Sequence, residues 1–180
     1  MVKALGSRVE APTSYAPEVL EAIPRALART LLGVDNALPF FGADVWHLYE
    51  LSWLNPRKVP VSYVGTLTIP VDTPNLVESK SLKLYLNSLN FECFDSDTAA
   101  IAKITADISR VVGGTVALSL FSADALTCIT KEQKGIKIDV MDASTESVSD
   151  RRQYLRIDPS RPIEQTITSH LLRSLCPVTG

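Results

Sequence analysis

Between Asp44 and Leu54 two sets of residues alternate without a break: Val45, His47, Tyr49, Leu51 and Trp53 against Trp46, Leu48, Glu50, Ser52 and Leu54. A period of two, carried by aromatic and branched side chains over that length, fits a strand with both faces largely covered. Asn55-Pro56-Arg57-Lys58 then supplies turn chemistry. A second strand follows over Val61–Ile69, with Pro60 and Pro70 at its ends, where a missing backbone donor does least harm. The two strands make a hairpin, and the rest of the fold has to be built on it.

The segment before the hairpin, residues 1–40, reads as an irregular lead-in. Pro12, Pro17, Pro24 and Pro39 interrupt any long helix, and a short amphipathic helix over Glu18–Leu32 would have Pro24 inside it. After the hairpin, Leu82, Tyr85, Leu86 and Leu89 recur at helical spacing and predict a helix from about Glu78 to Asn90, although Leu82, Leu84 and Leu86 also alternate. Asp95-Ser96-Asp97 offers an N-cap for a second helix. Its stripe is Ile101, Ile104, Ile108, Val111 and Val112, and Gly113-Gly114 ends it. Strands return over Thr115–Phe121 and Gly135–Met141. The order strand, strand, helix, helix, strand, strand predicts an α+β layer: a four-stranded antiparallel sheet with two helices on one face.

That module is expected to occupy residues 1–142. Residues 143–162, rich in Ser, Asp and Arg, read as a linker. An alternating strand then starts over Ile163–Leu175. Ser169-His170-Leu171 there echoes Trp46-His47-Leu48, as the first strand of a second module would. The chain therefore reads as one module plus the opening of another, a fragment of something longer.

Net charge is −2, so no basic field exists to hold a nucleic acid, and the apolar runs are far short of a membrane span. Cys93, Cys128 and Cys176 are odd in number and widely spaced. That is neither a disulfide framework nor a zinc knuckle, and it suits a reducing cytoplasm. No Gly-x-Gly-x-x-Gly or Walker loop occurs, and His47 and His170 stand on separate strands, as core or edge residues rather than as a metal site.

Two places could carry chemistry. Cys176 sits at a turn before Pro177, where an exposed thiolate could act as a nucleophile; a buried structural thiol is the alternative. His170 shares its strand parity but lies about 20 Å away, so it is no evident base partner. For Cys93 and Cys128 the sequence favours the buried thiol. Glu78, with Ser79 and Lys80, stands at a predicted helix start. There free backbone N–H groups can hold an anion, and a fixed carboxylate can accept two parallel hydrogen bonds from a guanine-like N–H/NH₂ edge. Lys80 and Lys83 would suit phosphates; a solvated, charged helix end is the alternative reading.

Glu78 to Tyr85 (ESKSLKLY) and Ser174 to Gly180 (SLCPVTG), with Leu38-Pro39-Phe40, Asp44-Val45-Trp46, Leu48 to Asn55 and Ser169 to Leu172, resemble the NADPH-dependent 7-cyano-7-deazaguanine reductases. These are nitrile reductases of queuosine biosynthesis, a tRNA modification, and the likeness is to their long, two-module form. The resemblance implies the tunnelling fold (T-fold) of GTP cyclohydrolase I, a homodimer and a small-molecule substrate. It gives Cys176 the role of attacking the nitrile to form a thioimide, which NADPH reduces. Val77, Glu78 and Ser79 would bind the deazaguanine, and Ser79 and Lys80 the NADPH. In the family a Gln-Pro-Asp string carrying the proton donor follows the cysteine, and this sequence stops before it, so little activity is expected of the chain alone. A non-catalytic purine-binding or assembly module of the same fold is the rival reading. A purine or pterin hydrolase is the third, and would need metal ligands that the sequence lacks.

Overall fold

Pro24 decides how the first ordered stretch is organised. Strand β1 (Ala22–Pro24) ends on it and helix α1 (Arg25–Leu31) begins directly after it, so the ring precedes a helix instead of interrupting one. The computed structural model describes residues 10–34, 37–124, 134–141, 156–173 and 175. The chain forms two compact units, Met1–Thr130 and Lys131–Gly180. Among the described residues no helix is long and apolar enough to cross a membrane.

In the first unit the hairpin is β2 (Ala43–Leu54) against β3 (Pro60–Pro70), antiparallel from Ala43↔Pro70 to Leu54↔Pro60. Asn55 closes the turn by accepting the Arg57 and Val59 amides on Oδ1, at 2.9 and 3.1 Å. The alternation of β2 is not that of a strand covered on both faces. The register shifts between Leu48 and Leu51, so Tyr49 and Glu50 form a bulge. Before it Trp46 and Leu48 face the core; after it Leu51 and Trp53 do, while Val45, His47, Tyr49 and Glu50 are exposed. One extra residue thus moves the inward face from even to odd positions.

Strand β4 (Asn75–Val77) leads into helix α2 (Ser79–Ser88), which tightens into a 3₁₀ turn over Leu89–Phe91. Its predicted stripe of Leu82, Tyr85, Leu86 and Leu89 is wholly buried. Helix α3 (Asp97–Val112) is capped by Ser96, whose Oγ accepts the Ala99 amide at 3.2 Å. It stops at Gly113, which is left-handed at φ 75°. Strand β5 (Ala117–Ser122) pairs with the far side of β3, so the sheet order is β2-β3-β5, antiparallel throughout. Helix α2 packs on β2 and α3 on β5, and both join the sheet in one core around Trp53, Leu67, Ile69, Ile104 and Ile108. Trp53 stacks on Tyr63 at 4.9 Å and meets Phe94 edge-on at 5.9 Å.

Two expectations need correction. The sheet has three strands among the described residues, not four. The run Gly135–Met141 yields only β6 (Ile136–Lys137), which pairs in parallel with β7 (Ile167–Thr168) in the second unit. Of the strand expected over Ile163–Leu175, β7 is the part that forms among the described residues. The described part of the lead-in is also not irregular: β1 pairs antiparallel with β4, Ala22↔Val77 to Pro24↔Asn75. Arg25 is buried, and its guanidinium reaches the Asp44 carboxylate and Thr73 Oγ1, fastening α1 to the start of β2. In the second unit Asp139 accepts the Ser169 hydroxyl and the His170 amide. Those bonds hold its carboxyl below the usual range.

Candidate functional site

The acid predicted at the start of α2 is its N-cap. Glu78 is extended (φ −71°, ψ 133°), and its carboxylate folds back over the first turn. Oε1 accepts the Lys80 amide at 3.0 Å, Oε2 accepts the Ser81 amide at 2.6 Å, and the Ser79 hydroxyl stands 3.4 Å from Oε1. Ser81 returns a hydrogen bond from its Oγ to the Glu78 carbonyl at 2.8 Å. This is a capping box with its residue types exchanged, acid at the cap and hydroxyl three residues on. Two aligned N–H donors at the positive end of the helix fix the direction of the carboxylate.

Glu78 is therefore not a solvated helix end: its side chain is 1% exposed. Two of the N–H groups at the helix start, those of Lys80 and Ser81, are spent on Glu78 and are not offered to an anion. Val77 is buried in β4, so only its backbone is available to a ligand. Ser79 is exposed and Lys80 half-buried on the outer side of the turn. Lys83 pairs with Glu50 at 3.5 Å, with both side chains largely in solvent.

Ser79 opens onto a groove of about 920 Å³ between β2 and α2. Its walls are Trp46, His47, Tyr49 and Glu50 from the bulged strand and Leu82, Lys83 and Asn87 from the helix. The bulge is what turns Tyr49 and Glu50 toward it. Sequence reasoning missed this wall, and one signal was present: the step of three from Leu48 to Leu51 between the large apolar residues breaks the period of two.

Cys176 and Cys128 lie outside the described residues. Cys93, expected to be buried, is exposed, with its thiol donating to the Asn55 carbonyl at 3.1 Å. Among the described residues no three His, Cys, Asp or Glu side chains gather as metal ligands.

The sequence profile of the family described as "Nitrile reductase, 7-cyano-7-deazaguanine-reductase N-term" matches residues 11–120. Proteins named NADPH-dependent 7-cyano-7-deazaguanine reductase are similar over 98% of the chain. That of Dechloromonas aromatica is 44% identical, with 63% of its length covered. That of Burkholderia lata is 42% identical with 65% covered, and that of Acinetobacter baumannii 46% identical with 64% covered. The chain thus spans just under two thirds of the length of the curated relatives it matches.

Proposed function

This chain belongs to the N-terminal family of the 7-cyano-7-deazaguanine nitrile reductases, and we propose that it serves the NADPH-dependent reduction of that nitrile to the aminomethyl product in queuosine biosynthesis. The observation that carries this reading is the Glu78 carboxylate, oriented by the Lys80 and Ser81 amides. A carboxylate has about four acceptor positions. Two are taken by backbone, and a third holds the Ser79 hydroxyl at 3.4 Å, long for an O–H donor. When Ser79 turns away, each oxygen keeps one free position, and the pair matches the parallel N–H and NH₂ donors of a deazaguanine. The Val77 backbone and the Ser79 hydroxyl complete the substrate contacts.

The residues at the outer side of the turn also suit the cofactor. Ser79 offers a hydroxyl and Lys80 an ammonium, a donor set for the ribose and phosphate of a dinucleotide. NADPH supplies the hydrides, one at each of two stages. Cys176 is the nucleophile: its sulfur bonds to the nitrile carbon, the thiol proton ends on the nitrile nitrogen, and a thioimide results. One hydride and a solvent proton turn the thioimide into a hemithioaminal, the sulfur leaves as the thiol to give an imine, and the second hydride and proton give the amine. The fold we assign is the T-fold, supported by an antiparallel sheet with two helices in one core. A homodimer in which the open edges β2 and β5 meet other modules goes with it, as does the division into a module over 1–142, a linker over 143–162 and a second module from Ile163.

The test is incubation of the chain with 7-cyano-7-deazaguanine, with and without NADPH, followed by intact-mass spectrometry and absorbance at 340 nm. A mass increase equal to the nitrile, absent in Cys176→Ala, is expected. Binding heat with no covalent mass in the same preparation would replace the enzyme reading by that of a purine-binding module. No heat and no adduct would overturn both.

A further inference from the structure

We infer that residues 15–25 form a strap that fixes the Glu78 carboxylate, with Ser81 as the positioning residue joining strap to cap; the ligand role of Glu78 rests on the reading above. Ser81 and Ser88 are both fully buried and lie seven residues apart, two turns along one face of α2. Each does the same thing. Ser88 Oγ donates to the Tyr85 carbonyl at 2.6 Å and accepts the Ala16 amide at 3.2 Å. Ser81 Oγ donates to the Glu78 carbonyl at 2.8 Å and accepts the Glu21 amide at 3.0 Å. The strap is thereby fastened along the helix at both ends.

Its far end is anchored by Tyr15, whose hydroxyl shares Asp107 Oδ2 with that of Tyr85. Its near end grips Glu78 itself: the Glu78 amide donates to the Glu21 carbonyl at 2.9 Å, and Ala22 pairs with Val77 next door. Both backbone polar groups of Glu78 are therefore tied to the strap, one directly and one through Ser81. The direction of its Cα–Cβ bond follows from them together with the first bond of α2, in which the Leu82 amide donates to the Glu78 carbonyl at 2.9 Å. If the strap lifts, the carboxylate turns away from the Lys80 and Ser81 amides.

The experiment compares the wild-type chain with Ser81→Ala and Tyr15→Phe, reading amide hydrogen exchange by NMR and the affinity for 7-cyano-7-deazaguanine by calorimetry. In Ser81→Ala the Lys80 and Ser81-position amides should exchange about tenfold faster, the equivalent of about 1.4 kcal/mol, with Ile104 and Ile108 in α3 unchanged. Affinity should fall by about the same factor. Tyr15→Phe, remote from the site, should move both readouts the same way by a smaller factor, and it decides the matter if Ser81→Ala does not fold. Unchanged exchange at positions 80 and 81, or an equal rise throughout α3, would overturn the proposal, since a strap with a merely structural role produces one of those. Absence of binding heat in the wild type would remove the ligand role of Glu78, while the exchange readout would still judge the strap.

Discussion

Tyr85 on α2 donates its hydroxyl to Asp107 on α3 across 2.8 Å, inside the core. Asp107, 4% exposed, sits among the apolar residues of the α3 stripe and also takes the Tyr15 hydroxyl and the Arg110 guanidinium, the latter at 2.9 Å. A buried carboxylate so surrounded is fully hydrogen-bonded, and removing it strands two phenols.

Asp107→Ala should therefore cost on the order of 3 kcal/mol, more than an average core truncation of that size. Urea unfolding followed by circular dichroism measures it. Arg110→Ala should cost far less, because that guanidinium is mostly in solvent.

The same cluster sets the alkaline limit of stability. Burial first, and the Asp107 hydrogen bond second, hold the Tyr15 and Tyr85 phenols well above their ordinary 10.0. Below pH 10 folded and unfolded chains both keep these protons. Above it the unfolded chain releases them and the folded one does not, so stability falls as pH rises. The expected slope for Tyr85 alone is about 1.4 kcal/mol per pH unit. Urea midpoints between pH 9 and 11 should fall less steeply in Tyr85→Phe than in the wild type.

At the cap, Glu78→Ala and Glu78→Gln should separate two roles. The alanine loses the acceptor for two amides and should cost roughly 1 kcal/mol of stability. The glutamine keeps one acceptor oxygen but turns an N–H₂ against a backbone N–H or the ligand edge, so it should fold and still fail to bind 7-cyano-7-deazaguanine. Calorimetry beside thermal melts checks both, and wild-type affinity in Glu78→Gln would remove the carboxylate from recognition.

Gly113 ends α3 at φ 75°, and a Cβ built there would lie 2.6 Å from Pro74 Cγ. Left-handed backbone alone costs an L-residue about 1–2 kcal/mol, and the contact adds to it. Gly113→Ala should lower the melting temperature, while the less crowded Gly33→Ala, also at positive φ but with nothing within 4 Å, should lower it less.

What was legible in the sequence was local. The α2 stripe, the Ser96 cap and the Gly113 stop are set within a few residues, and the helices appear where they point. Glu78 was legible as a helix-start acid. Its burial was not, because the groups that cover it, Glu21 and Ala22, lie more than fifty residues away in sequence. Strand β1 has three residues and no periodicity of its own; its pairing with β4 creates it. The bulge hid behind an alternation that looked complete on both faces, since Val45, His47 and Tyr49 are apolar or aromatic without being buried. Asp107 is, in the sequence, one more polar gap between stripe residues, and nothing local distinguishes it from an exposed one.

The bulge at Tyr49 and Glu50 has a consequence for how this strand can vary. Deleting either position would restore an unbroken ladder with Trp46, Leu48, Leu51 and Trp53 all on the core face, because one residue fewer puts the two apolar pairs back at a period of two. A single-codon deletion within the bulge would thus spare the core and alter only the groove wall that Tyr49 and Glu50 form, whereas one elsewhere in the strand would turn inward residues outward.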